Sequence, residues 1–408
     1  MIALLEAVVD RSPRHAAACN MLGLVLARER GRFEEGAHYL RCAVEANPAL
    51  YEARSNLGWV LTELGQLDEG LQCLDALLAE FPGHHEARLM RATANLKNGR
   101  FAAGWGDYDA RHHSATAIAS PYAYPVWDGS RQAQASLLVT AEQGVGDQIM
   151  FASCLAQARG RVGRILVECH PHLVPLLRRV FPSDRVGVRG AEPSPPAWTA
   201  GSNIDLQIPI GSLPRFFRNT PADFPQHGGY LFADPVRVRY WRERLDALGP
   251  GVKVGLSWRG GTVNSRRSLR SIDPAELSRL LEHPGYFVNL QYGSSGPDLQ
   301  AFGRLVGSRF VHWPEALDNY DETAALVVAL DLVVSVCTAV IHLAGALGRP
   351  VWVLTPASPE WRYMQAGPGM PWYPSARLFR QRHAFEWESV LAELVGELAR
   401  FESQGDRI

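Results

Sequence analysis

Three glycine-bounded hexapeptides recur at a fixed interval: GRFEEG at 31–36, GQLDEG at 65–70 and GRFAAG at 99–104, so that Gly31, Gly65 and Gly99 stand 34 residues apart each time. The stretches NMLGLVLAR and NLGWVLTEL that precede the first two have helical apolar content. Asn47-Pro48 and Phe81-Pro82 close the units where a second helix must stop. A repeat of this length is one helix-turn-helix that cannot bury its apolar face alone, so each unit must stack on the next. Gly23, Gly58 and Ala92 fall where the first helix of a unit approaches its neighbour, which gives them a packing role.

The period is that of the tetratricopeptide unit, and it predicts a helical array over residues 1–113. Stacked helix pairs form a surface suited to a peptide or a partner helix, so a protein or peptide partner is expected there. The third unit, GRFAAGWGDYDARHHS, turns aromatic and charged, which suits a repeat buried against a following domain. A linker is expected over 114–135, where SPYAYPVWDGSRQAQ contributes two prolines and an Asp-Gly pair.

From residue 136 the pattern becomes strand, turn and helix in alternation. ASLLVT, RILVECH and RVGVRG read as strands separated by the helical stretches DQIMFASCLAQARG and HLVPLLRRVF. After the proline-rich AEPSPPAWTAGS and the helix WRERLDALGPG, a second series follows. KVGLSWRG, GYFVNLQYG, RFVHWP, DLVVSV and PVWVLTP are strands in it. DPAELSRLLEH, DLQAFGRLVG, DETAALVVAL and TAVIHLAGALG are helices. Such alternation implies parallel sheets covered by helices. The expected architecture is therefore α + α/β: the helical repeats, a Rossmann-like unit over 136–235, a connection over 236–252, a second Rossmann-like unit over 253–375 and a helical segment over 376–408. Ligands of such sheets sit beyond the carboxyl ends of the strands, so two facing units make one cleft.

Composition narrows the functions. Forty-one Lys plus Arg against 42 Asp plus Glu leave a formal charge of −1, unsuited to coating nucleic acid or anionic lipid. No apolar run approaches the ~18 residues of a membrane span, and the opening MIALLEAVVDRSPRHAAACN has no basic stretch before an apolar core, so a cytoplasmic protein is expected. Cys19, Cys42, Cys73, Cys154, Cys169 and Cys337 are scattered without metal-ligand spacing and are expected as free thiols. Neither a GxGxxG dinucleotide fingerprint nor a GKS/T phosphate loop occurs, which argues against an oxidoreductase and a P-loop enzyme.

Three stretches carry chemistry. In AEQGVGDQ, Gly144 and Gly146 are read as letting the chain turn sharply after a strand, with Glu142 before them and Asp147 at the start of the next helix. SWRGGTVNSRRSLRSI places Arg259, Arg266, Arg267 and Arg270 on the loop after another strand. SVCTAVIHLAGALG puts Thr338, Ala339 and His342 at the opening of a helix. Backbone N–H groups at a helix start together with guanidinium groups can hold a diphosphate without metal. Gln291 and Tyr292, at the end of a further strand, are placed to touch a ribose or base.

AEQGVGDQIMFASCL, VGLSWRGG, LRSI, DETAALVVALDLVVSVCTAVIHLAGALGRPVWVL, PEWRY and PWYPSARLFRQ together resemble the bacterial tetratricopeptide-repeat glycosyltransferases, whose catalytic part is similar to the heptosyltransferase (glycosyltransferase family 9-like) group of GT-B enzymes. The resemblance implies a nucleotide-sugar donor held by the C-terminal half, an acceptor on the N-terminal half, and inverting transfer without a metal or other cofactor. It implies that Asp147 is the base and that Arg270, Thr338, Ala339 and His342 hold the donor diphosphate; the residues themselves add Glu142 as second choice of base and Arg266 or Arg267 as further diphosphate contacts. Trp361 and Arg362 are expected to line the cleft. The acceptor is expected on a protein, such as a flagellin or another surface protein. Cys337 stands where many relatives carry aspartate, and Asn264 and Arg266-Arg267 replace a His and an Asn-Asp pair. These departures motivate an alternative: a non-catalytic adaptor with a degenerate nucleotide-binding module.

Overall fold

The computed structural model describes residues 1–113, 122–190, 197–261, 267–293 and 296–404. Helices α1 (Ile2–Arg11), α2 (Ala16–Arg30), α3 (Phe33–Ala46), α4 (Tyr51–Glu63), α5 (Leu67–Glu80), α6 (His85–Lys97) and α7 (Phe101–Tyr108) form the array. The recurring glycines set its geometry in two ways. Gly31, Gly65 and Gly99 adopt φ of +65°, +79° and +75° at the turn inside each unit, a conformation that side chains resist. Gly23 and Gly36 let α2 and α3 touch backbone to backbone: a Cβ on Gly23 would lie 2.7 Å from the Gly36 carbonyl oxygen.

The first α/β unit comprises β1 (Gln132–Thr140), α8 (Val145–Ala152), α9 (Leu155–Arg159), β2 (Val162–Cys169), α10 (Val174–Val180), β3 (Arg185–Val188) and β4 (Leu206–Pro209). Its sheet runs β3-β2-β1-β4 with every pairing parallel. β1 starts inside the stretch read as linker, because its polar first half is largely exposed while only its last five residues are all buried. Helix α11 (Pro235–Asp246) leads into the second unit.

That unit comprises β5 (Lys253–Ser257), α12 (Ser278–Leu281), β6 (Tyr286–Asn289), α13 (Gly296–Val306), β7 (Phe310–Val311), α14 (Pro314–Asp318), α15 (Tyr320–Ala329), β8 (Leu332–Val336), α16 (Ala339–Ala346), β9 (Val351–Thr355), β10 (Gly369–Met370), β11 (Tyr373–Arg380) and α17 (Glu388–Gln404). The strand order is β10-β11-β9-β8-β5-β6-β7, parallel except for the β10–β11 pair. Strands β5, β8 and β9 are buried along their whole length, as a sheet covered on both faces requires. The long helix expected at 273–283 shrinks to the single turn of α12, bracketed by Pro274 and Pro284.

One apolar core runs without a break through all three regions. It includes Leu96, Phe101 and Trp105 of the array, Ile149 and Phe151 of the first unit, and Ile341, Trp361 and Trp372 of the second. Trp105 lies edge-on to Trp361 at 5.6 Å and donates its indole N–H to the Arg218 carbonyl at 2.7 Å. A second core, with Trp258, Phe287 and Phe302 packed beneath Leu391, Leu394 and Leu398 of α17, lies within the second unit.

Candidate active site

The loops after β1, β5, β8 and β9 meet where the two sheets point their strand ends at each other. Gly146 brings them together: a Cβ there would stand 2.8 Å from His342 Cδ2 and 3.4 Å from Ala339 Cα, so only glycine lets the start of α8 rest on the start of α16. This corrects the reading of Gly144 and Gly146 as turn-makers. Gly144 is extended (φ −83°, ψ 170°) and Gly146 is helical; the left-handed residue of the turn is Gln143, at φ +59°. Gly260 is wedged in the same way, its missing Cβ 2.9 Å from the Arg270 carbonyl oxygen and 3.0 Å from that of Cys337.

Asp147, in the first turn of α8, faces the second unit across this junction. Its Oδ1 lies 2.8 Å from Arg362 Nη2, and Gly144 N–H donates to Oδ2 at 3.4 Å. Arg362 Nη1 is 3.2 Å from Glu360 Oε2, whose other oxygen accepts from Arg270 Nη1 at 2.6 Å. Carboxylate and guanidinium thus alternate from Asp147 through Arg362 and Glu360 to Arg270. The chain is incompletely satisfied: among the described residues, Nε of Arg270 and of Arg362 are buried without a hydrogen-bond acceptor, and no donor is aligned on Asp147 Oδ1 despite its short distance to Arg362. Burial pushes the Asp147 carboxyl above the usual carboxylate range, with Arg362 pulling it back and Glu360 pushing it further up. Arg362 stays protonated between its two carboxylates.

Thr338 caps α16, its hydroxyl accepting from Val340 N–H at 3.3 Å and lying 3.0 Å from Ser335 Oγ, and Ala339 is the first helical residue. His342 is buried beneath Gly146 with Nδ1 3.0 Å from the Tyr373 hydroxyl. Burial, then the Arg362 charge, hold its imidazole well below the ordinary value, so it is neutral and packs the junction. The Cys337 thiol, pushed up to about 12 by burial and next by Glu360, is a neutral group directed at the Leu354 carbonyl oxygen 3.8 Å away.

Other expected site residues sit elsewhere. Glu142, the second choice as base, is held by Arg111 through two hydrogen bonds of 2.6 and 2.9 Å and by Gly211 N–H at 2.7 Å, which ties the first unit to the end of the array. The Gln291 carboxamide oxygen accepts from Ser257 Oγ, Trp258 N–H and Arg259 N–H at 2.8–3.1 Å, so it braces the loop after β5. Tyr292 is 75% exposed. Arg259 turns to the buried Asp298, at 2.7 Å from Nη2. Arg267 is exposed, and Arg266 and Asn264 lie outside the described residues.

Sequence reasoning missed Glu360, although it stands two residues from Arg362 in the quoted PEWRY. It missed Arg111 and Glu168 as well. The Glu168 carboxylate, fully buried at the end of β2, accepts from the Tyr122 hydroxyl at 2.6 Å and from Ala141 N–H at 3.0 Å, and so fixes the start of the β1 loop. An acidic residue next to the apolar run ILV of the strand was the available signal.

A helical repeat array followed by two α/β units whose strand-end loops meet defines a tetratricopeptide-repeat protein with a pair of Rossmann-like units. The tetratricopeptide repeat family matches residues 2–49 and 27–96. Protein FlbA of Caulobacter vibrioides is 32% identical over 424 residues, an alignment taking in 98% of this chain and 70% of FlbA, and the chain belongs to that family. Solved structures overlay in part. The Escherichia coli ADP-heptose LPS heptosyltransferase II is 15% identical with a TM-score of 0.42, over 67% of this chain and all of that one. A Thermobaculum terrenum O-GlcNAc transferase mutant is 17% identical with a TM-score of 0.31, over 98% of this chain and 88% of that one. Among the described residues no helix is long and apolar enough to cross a membrane.

Proposed function

We propose that the chain transfers a sugar from a nucleotide-activated donor to an acceptor hydroxyl with inversion, in the cytoplasm and without a metal. The observation that carries this reading is the half-satisfied charge chain at the cleft: a half-buried carboxylate of raised basicity, the buried Arg270 and half-buried Arg362 guanidinium groups, each with an N–H that lacks an acceptor among the described residues, and a helix start beside them. Asp147 takes the acceptor proton as the acceptor oxygen forms its bond to the anomeric carbon. The bond from that carbon to the diphosphate breaks, and the electron pair leaves with the diphosphate. Arg270, Arg362 and the first turn of α16 receive the resulting charge, competing with Glu360 for the guanidinium groups. The array brings the acceptor, which we take to be a protein such as a flagellin or another surface protein.

The reading is tested by thermal stabilisation with a panel of nucleoside diphosphates and nucleotide sugars. One nucleotide should raise the melting temperature of the wild type and do so far less in Arg270→Ala. Turnover of the matching sugar donor should then disappear in Asp147→Asn. Stabilisation by none of the panel would favour the adaptor alternative, in which Asp147→Asn leaves partner binding intact.

A further inference from the structure

Glu63 and Lys97 are one repeat apart, at equivalent positions of α4 and α6, and carry opposite charges. Their side chains are 9% and 3% exposed, with Lys97 Nζ 2.9 Å from Glu63 Oε2. A buried pair on a solvent-rich helical repeat is costly to desolvate, and a pair of apolar residues would pack there at least as well. The pair also reaches out of the array, Glu63 through its charged side chain and Lys97 through its main-chain carbonyl. The same Glu63 oxygen accepts the hydroxyl of Ser358, and the Lys97 carbonyl accepts Gln365 N–H at 2.8 Å.

Ser358 and Gln365 bracket the segment that carries Glu360, Trp361 and Arg362. The array holds its middle too, because Trp361 is packed edge-on against Trp105 and Tyr108, both at 5.6 Å. From the far side, Arg380 donates to the carbonyl oxygens of Tyr363, Met364 and Gly367, and Met364 is held at φ +59°. The segment is thus clamped between the repeats and β11, and its product is the Arg362–Asp147 contact across the cleft.

We propose that Glu63 and Lys97 are positioning residues: through Ser358 and Gln365 they set the 358–365 segment, and through it the placement of Arg362 on Asp147. The array thereby shapes the cleft in addition to offering a surface to partners. The consequence for sugar transfer rests on the function proposed above; the coupling of the array to the cleft does not.

Hydrogen exchange of the full-length chain, read by mass spectrometry on the wild type, Lys97→Met, Lys97→Arg and Glu63→Gln, tests it. In Lys97→Met, peptides spanning 356–366 and 143–150 should exchange about tenfold faster or more, while those of α1–α3 stay unchanged. Lys97→Arg, which keeps the charge and a donor, should restore protection in both. Affinity for ADP and UDP, used as probes, should weaken severalfold in Lys97→Met and recover in Lys97→Arg. Faster exchange confined to residues 51–97, or equal effects of Met and Arg, would overturn the proposal. If Lys97→Met does not fold, Ser358→Ala removes one hydroxyl from the same contact and must loosen the same cleft peptides; no change there overturns it equally. A wild type that binds neither nucleotide speaks against the transferase reading, and the exchange pattern then decides the coupling by itself.

Discussion

Glu142 and Asp147 lie five residues apart on one turn, both beside buried arginine, and their surroundings differ in completeness. Around Glu142, Arg111 finds an acceptor for every N–H it has: both Glu142 oxygens, Ser212 Oγ, the Tyr108 carbonyl and Asp109 Oδ1. Asp109 is in turn bound by Ser212 and Arg215 at 2.6 Å. Although burial works against it, Arg111 foremost holds the Asp109 carboxyl below its usual range. Around Asp147 the same ingredients leave Arg362 Nε and Arg270 Nε without acceptors among the described residues. The arginine touching Glu142 is fully satisfied, although Arg215 Nε and His112 Nε2 further out lack a hydrogen-bond partner among the described residues; a satisfied guanidinium fixes structure, whereas one with an N–H to spare is where an anionic ligand gains the most. That contrast, more than the presence of acidic residues, separates scaffold from site.

The largest expected effect falls on the open network. Asp147→Asn should lower transfer by about 10²–10⁴-fold, the range for loss of a general base, with a melting temperature close to the wild type's. Glu142→Gln should show the reverse pattern in the same two assays, and matching behaviour of the two variants would dissolve the distinction. On the side of Glu142, Arg111→Met strands the largely buried Glu142 carboxylate and removes a partner of the part-exposed Asp109, and should cost about 3 kcal/mol in urea unfolding. Gly146→Ala probes the junction between α8 and α16. Its Cβ must push against the buried His342, so a loss of about 1–3 kcal/mol is expected in the same unfolding assay, together with weaker nucleotide binding.

The smallest effect concerns pH. Burial, opposed by Arg362, leaves the Asp147 carboxyl above its ordinary value, so the acid limb of the pH–rate profile should lie above about pH 4. Removing the opposing charge in Arg362→Met lets the carboxyl rise further, and the limb should move to higher pH. A limb moving to lower pH would place the essential proton on another group. The same raised value means that ionised Asp147 burdens the fold: its contribution favours the native state below the ordinary carboxylate range and is lost as pH rises through the folded-state value.

Much of the architecture could be read from the chain because its cues are local. The glycine period gives the repeats, and the largely apolar, charge-free runs VGLS, LVVSV and VWVLT mark the central strands of the second sheet. Strands β4, β10 and β11 escaped because they are short or, as in YPSARLFR, mix proline and arginine with apolar residues. The site was legible in part for a related reason. Asp147, Arg270 and Arg362 sit in recognisable stretches, but their partners are set by long-range packing. Arg111 pairs with Glu142 across 31 residues, and Glu63 with Ser358 across 295. No periodicity or spacing announces such pairs. The two glycines of the β1 loop were read by local rules when the demand on Gly146 comes from a helix nearly two hundred residues later.

The unbroken core from Leu96 to Trp372 has a consequence for how such a protein can change over evolutionary time. Repeats are often gained, lost and shuffled as cassettes, since each depends only on its neighbours. Here the third repeat shares its tryptophan with the loops of both sheets, so it is inherited with them as one unit. Among the described residues, room to change recognition repeats without disturbing the seam lies at α1, because the turn after α2 already meets the second unit, a Cβ on Gly31 falling 2.7 Å from Ala384 Cβ and 3.5 Å from Leu269.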